Sequence, residues 1–160
     1  MNVQQKNNEK GFTIIEVVLV LAIAALIFLM VFIALPALQR SQRDTQRKND
    51  LARAITGVTN YASNNRGKVP QTKTAWSQLA TDYLKVNGDT FADPTGTDYS
   101  FQNVSRQSPD VPGAFDSSKP YIYVTLNAVC NGENVTTGQG ANKVALQMKL
   151  EGGGVACDSN

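Results

Sequence analysis

The sequence predicts an α+β fold, in which a long amino-terminal helix packs on a small antiparallel β-sheet. Three observations lead there. Residues 17–38 contain no charged residue and one breaker, Pro36. Leu51, Ile55, Val58 and Ala62 follow at spacings of 4, 3 and 4, which puts them on one helical face. The later chain holds two strand patterns, at 121–129 and 143–151.

The apolar run comes first because it constrains most. It is 22 residues long, and a helix needs about 20 to cross a bilayer core. It is apolar all round rather than along one stripe, and a buried core helix of this length would need a much larger protein around it. The run therefore reads as membrane-inserting. A secretory signal peptide is the alternative, but its apolar region should be about 7–15 residues long. Ala34, Ala37 and Ser41 also make a poor cleavage pattern. Ahead of the run, residues 1–11 are short and polar, with Lys6 and Lys10.

Residues 39–50 are polar throughout and read as a solvated helix stretch with i, i+4 pairs such as Arg40–Asp44. Between Ala37 and Tyr61 only Gly57 argues against helix, at about 1 kcal/mol. A single helix of roughly 52 residues and about 80 Å is predicted from Phe12 to about Ser63. Pro36 should kink it. Asn64, Asn65, Gly67 and Pro70 end it.

Trp76, Leu79, Ala80, Tyr83 and Leu84 suggest a short second helix, and Gly88, Pro94 and Gly96 mark loops. A strand is expected over 99–104, then a long loop over 105–120. The run 121–129 is dense in β-branched and aromatic residues and reads as a strand buried on both faces. Residues 131–142 read as a glycine-rich connection. The last strand alternates: Val144, Leu146, Met148 and Leu150 face the core, and Ala145, Gln147, Lys149 and Glu151 face water. The domain division that follows is 1–11, 12–38, 39–64 and 65–160.

Composition removes several function classes. There is no histidine, so no His-based triad, general base or metal ligand. Two cysteines do not make a four-thiolate zinc site. No catalytic residue, metal site or cofactor is assigned, and the chain is not expected to be an enzyme. Net charge is +2, too small to argue for nucleic acid; a DNA-binding basic stripe from Arg40 onward has nothing else behind it. Asp89, Asp93 and Asp98 fit no EF-hand spacing and read as turn chemistry rather than a calcium site. Asn103-Val104-Ser105 and Asn134-Val135-Thr136 match a glycosylation pattern that is common by chance.

Glu16 carries the functional signal. It sits at the start of the apolar run, where a charge costs somewhat less than the about 2.5–3.5 kcal/mol of the span centre. By position alone it is equally a headgroup-level, solvated carboxylate. Gly11-Phe12-Thr13-Ile14-Ile15-Glu16, after a short basic leader and before about 20 apolar residues, resembles the cleavage site of type IV prepilins and pseudopilins. The resemblance is strongest over 1–38. It continues more loosely through Tyr61, Gly67 and Pro70, then Asp93-Pro94, Gly96 and Tyr99, to Leu150-Glu151-Gly152-Gly153 before a cysteine.

That resemblance implies a pilin-like fold and a structural filament subunit. A prepilin peptidase would cut between Gly11 and Phe12 and methylate the new Phe12 amine. Glu16 would then pair with the Phe12 amine of a neighbouring copy and fix the register. Partners would be copies of the chain in a helical filament, the peptidase, the inner-membrane assembly machinery, and membrane lipid before assembly. Location would be the cytoplasmic membrane first, then a cell-surface filament. Many family members place the helix proline about one turn earlier than Pro36.

Two points weigh on orientation. Arg40, Arg43, Arg47 and Lys48 follow the span, and the positive-inside rule alone would keep the following domain in the cytoplasm. The leader motif and the cysteines point outward and take precedence. Cys130 and Cys157, an even pair, are expected to form a disulfide of the kind this family often carries. It would contribute about 3.6 kcal/mol in the chain-entropy model. In a simple hairpin of the last two strands these cysteines lie near opposite ends, so either the strands are not simple neighbours or the tail folds back. The competing functions are a minor pilin or pseudopilin of a secretion or competence system, a membrane-anchored binding domain, and a secreted protein.

Overall fold

The structure is a computed structural model and describes residues 11–103, 111 and 113–160. The leader residues before Gly11, and Val104 and Ser105 of the first sequon, lie outside the described residues. The chain divides into two compact units, 1–39 and 40–160.

Helix α1 runs Ile14–Asn64, 51 residues, with Pro36 inside it. It starts two residues later than the sequence suggests, because Phe12 and Thr13 stay outside the first turn. It stops where the sequence says it should. Arg66 and Gly67 take positive φ, and the Gly67 amide returns to the Ala62 carbonyl at 2.8 Å. This is a glycine C-cap that satisfies a terminal carbonyl.

In the 40–160 unit, α2 spans Lys73–Leu79 and continues as a wider turn over Ala80–Leu84. The Thr72 hydroxyl caps it by accepting from the Ala75 amide at 3.2 Å. The strands are β1 Ser100–Asn103, β2 Tyr121–Leu126, β3 Ala128–Asn131, β4 Asn134–Thr137, β5 Val144–Lys149 and β6 Val155–Ser159. One sheet has the order β1-β2-β5-β6, and β3-β4 is a separate hairpin. The sheet is mixed: β2-β5 and β5-β6 are antiparallel as expected, but β1 joins β2 in parallel. The long stretch between β1 and β2 gives the chain room to return to the same end.

The core forms where the predicted helix face meets the predicted strand face. Leu51, Ala54 and Val58 of α1, Trp76 and Leu79 of α2, and Ile122, Val124, Val144, Leu146 and Met148 of the sheet are all buried together. Trp76 stacks on Phe101 with ring centroids 4.9 Å apart, and Phe91 meets Tyr99 at the same spacing. Gly57 lets α1 pack closely here. A Cβ at that position would stand 2.8 Å from a Leu84 methyl.

Three further expectations fail, the last two for one physical reason. The run 121–129 is not one strand buried on both faces; Asn127, at φ 58, breaks it, and Tyr121 and Tyr123 are only half-buried. The connection 131–142 is not plain loop, since β4 lies within it and pairs with β3. Residues Ala145 and Gln147 of β5 do not face water, because the β3-β4 hairpin packs over them. Sequence alternation reports one face at a time, and the cover for the second face came from a segment with weak strand signal.

Candidate functional site

The amino-terminal end is built around a cap. Thr13 precedes the first helical residue. Its backbone N–H and its hydroxyl both donate to one Glu16 carboxylate oxygen, at 2.8 and 2.7 Å. The Glu16 amide points back at the Thr13 hydroxyl oxygen at 3.4 Å. This reciprocal arrangement is a capping box, and its signature Thr-x-x-Glu is present in the sequence. Sequence reasoning singled out Glu16 and missed Thr13. A carboxylate in the first turn also meets the positive end of the helix dipole.

Phe12, 89% exposed, stands just before the cap, and Gly11 precedes it in non-helical backbone. Phe12, Glu16, Val17, Val20 and Leu21 line one shallow apolar groove. Across the following run no residue is buried, and Leu26, Met30 and Phe32 are each at least two-thirds exposed. The best 18-residue window has mean hydropathy 3.3 and none of it is buried within the chain. That removes the reading of a soluble-core helix. Surface of this kind is stable only in lipid or against other apolar chains.

The second set of site residues is in the 40–160 unit, where 39–50 was expected to be solvated. Asp44, Arg47 and Asp50 are buried instead. Arg47 has no exposed side chain. Its guanidinium makes a two-point contact with Asp93 at 2.6 and 3.0 Å, and reaches Asp44 at 2.9 Å and Glu151 at 3.4 Å. The Phe115 ring lies 4.4 Å from its central carbon. Asp44 spends its other capacity on backbone, accepting from the amides of Glu151 and Gly152 at 2.9 and 2.7 Å. The predicted Arg40–Asp44 pair is replaced: Arg40 approaches Glu151 at 3.9 Å, and Arg43 binds Glu151 at 2.6 and 2.8 Å.

The electrostatics follow from these contacts. The Arg43 hydrogen bonds hold Glu151 down to about 2. Burial works against the Asp93 carboxylate, but the Arg47 fork and the Thr95 hydroxyl and amide outweigh it, so its pKa is lowered. Burial raises Asp50, against the hydrogen bond it accepts from the Tyr99 hydroxyl at 3.0 Å. The basic stretch is thus largely neutralised internally, which weakens it as a nucleic-acid surface. Asp93 is a turn residue, as predicted, accepting from the Thr95 amide at 3.0 Å, but its main partner is Arg47. Asp89 pairs with Arg53 and Asp98 with Lys85, so the three aspartates do not converge. No metal-holding group occurs among the described residues.

Cys130 and Cys157 are disulfide-bonded with Cα atoms 5.8 Å apart. Of the two geometries left open by the sequence, the chain adopts the fold-back: β6 returns along β5, and Cys157 lies opposite Gln147. Asn134 of the second sequon is exposed at the start of β4.

The capped helix start and the unburied apolar span fit a membrane-anchored amino-terminal segment. A family model described as the prokaryotic N-terminal methylation motif matches residues 6–32. The chain therefore carries the class III leader motif of type IV pilins and pseudopilins, which supports a pilin- or pseudopilin-like precursor. That class consists of structural subunits rather than a known enzyme class, and its motif implies self-assembly and prepilin-peptidase processing in general. No curated protein and no solved structure matches the chain significantly.

Proposed function

We propose that this chain is the precursor of a structural subunit of a type IV pilus-like filament. A prepilin peptidase cuts between Gly11 and Phe12 and the new Phe12 amine is methylated. Residues 1–11 are the leader, 12–38 the membrane and assembly half of the helix, 39–64 its amphipathic half, and 65–160 the globular head with the β-sheet. The observation that carries this is the span with no buried residue, which begins directly at a matched methylation motif.

Cutting removes Lys6, Glu9 and Lys10 and creates a cation at Phe12 with an ordinary pKa of about 7.7–8.0. In a bundle of low dielectric an unpaired Glu16 carboxylate is costly and a paired one is tolerated. Glu16 then sets the register between copies, while burial of 12–38 among neighbours supplies most of the assembly energy. The inner-membrane assembly machinery moves the subunit from lipid to a cell-surface filament.

Peptide mass spectrometry of sheared surface material and of membranes tests this. A mature end at Phe12 with one methyl group, recovered in the sheared fraction, is the expected result. The same mature end confined to membranes favours a minor pilin or a pseudopilin. An end at Met1 confined to membranes indicates an anchored binding domain, and an end near Ser41 a secreted one; either overturns the proposal.

A further inference from the structure

The β3-β4 hairpin covers the second face of the sheet while burying little of itself. Of its strand residues only Ala128 is buried, and Val129 and Val135 are half-covered. Two hydrogen bonds tie the hairpin to the strands beneath. The Cys130 amide donates to the Ser159 hydroxyl at 3.2 Å, and the Gln147 side-chain amide donates to the Glu133 carbonyl at 2.7 Å.

What the hairpin covers is mostly polar. Thr125, Ala145 and Gln147 share one face of β2 and β5, and all three are buried. The Thr125 hydroxyl and the Gln147 side-chain carbonyl oxygen make no hydrogen bond to another protein group there. Buried polar atoms without a protein partner give the hairpin less reason to stay closed than apolar ones would, because water can satisfy them. Little apolar burial resists that opening, and the covalent link to β6 does.

We propose that the Cys130–Cys157 disulfide is a redox latch on this hairpin. A dithiol reductant attacks one sulfur as its thiolate and forms a mixed disulfide. Its second thiolate then displaces that cysteine. Two electrons and two protons pass to Cys130 and Cys157, and the reductant leaves as a cyclic disulfide. The hairpin then opens as a local unit and exposes Thr125, Ala145 and Gln147 to water. The core on the opposite face, from Leu51 to Met148, keeps its packing, and β6 stays paired along β5.

Hydrogen exchange by mass spectrometry on the full chain in detergent micelles, before and after dithiothreitol, tests the latch. Amides of 128–137 should exchange on the order of tenfold faster or more after reduction. Those of 44–58, 122–126 and 144–149 should hold their rates, and reoxidation should restore the hairpin. A Cys130→Ser, Cys157→Ser double variant should show the open pattern permanently. If that variant fails to fold, reduction of the already folded chain still supplies the readout. Unchanged exchange over 128–137 after reduction overturns the proposal. So does an equal acceleration across the helix and the core strands, which would make the disulfide a staple of the whole head.

Discussion

Helix α1 handles charge in two opposite ways along its length. Near its start a single carboxylate, Glu16, is satisfied within three residues by Thr13. In its second half Asp44, Arg47 and Asp50 are buried, and beside the local Arg47–Asp44 and Arg53–Asp50 pairs they use partners far off in sequence, Asp93 and Glu151 for Arg47 and Tyr99 for Asp50. The first arrangement needs no folded domain, so a chain waiting in lipid can keep it. The second exists only when the head is complete. The one helix thus joins a segment whose polar needs are local to a segment whose polar needs are tertiary.

Replacing Arg47 should give the largest effect. Arg47→Met leaves Asp44, Asp93 and Glu151 with a buried charge deficit, which costs about 3–5 kcal/mol when one partner of a buried pair is lost. Arg40→Met removes only an exposed contact and should cost about 0–1 kcal/mol. Thermal unfolding followed by Trp76, buried against Phe101, separates the two. Equal melting of both variants would mean that the cluster does not hold the head.

Acid is the milder perturbation. Asp93 and Glu151 have depressed pKa values, so the stability they contribute is full above the ordinary carboxyl range of about 4. It is lost as pH falls through the folded values, down to about 2 for Glu151. Asp50 has the opposite sign: its pKa is raised by burial, so its ionisation costs stability as pH rises through that value. The head should melt at progressively lower temperature between about pH 4 and 2. Arg47→Met should remove the part of that slope that belongs to Asp93 and leave most of the Glu151 part, which Arg43 holds; a slope equal to wild type would place the acid sensitivity outside the Arg47–Asp93 pair.

The smallest effect on the head belongs to Glu16→Ala, which should shift its unfolding by no more than about 0.5 kcal/mol. Its consequence falls on assembly: the variant should insert and be cut, yet give far less sheared filament. A wild-type filament yield would reduce Glu16 to a cap and a surface carboxylate.

Much of this was legible in the sequence because the signals were local. The apolar run, the 4-3-4 face from Leu51 to Ala62, the Gly67 stop and the core side of β5 all depend on neighbours within one element. Arg47 was not legible. Its burial depends on Asp93 and Glu151, 46 and 104 residues away, and nothing within its own turn distinguishes it from Arg43 or Lys48. The strand β6 was hidden behind Gly152, Gly153 and Gly154 and by its own polar residues. The β3-β4 hairpin did leave a trace in its two-residue turn, where Gly132 at φ 64 fits the first position of such turns. Thr13 went unread as the partner of Glu16, although the Thr-x-x-Glu spacing is a local signal for that cap.

The grip of the β5-β6 turn on Asp44 has a consequence for timing. The carboxylate belongs to a stretch of the helix made early, and the amides it holds belong to residues 151 and 152. At about 5–20 residues per second, roughly 5–20 s of synthesis separate the two. Throughout that interval the apolar segment has already been made, while the unfinished head lacks the contacts that Asp44 makes with residues 151 and 152. Completion of the last hairpin is therefore the step that closes this contact, and a truncation before Gly152 should leave the Asp44 carboxylate without it.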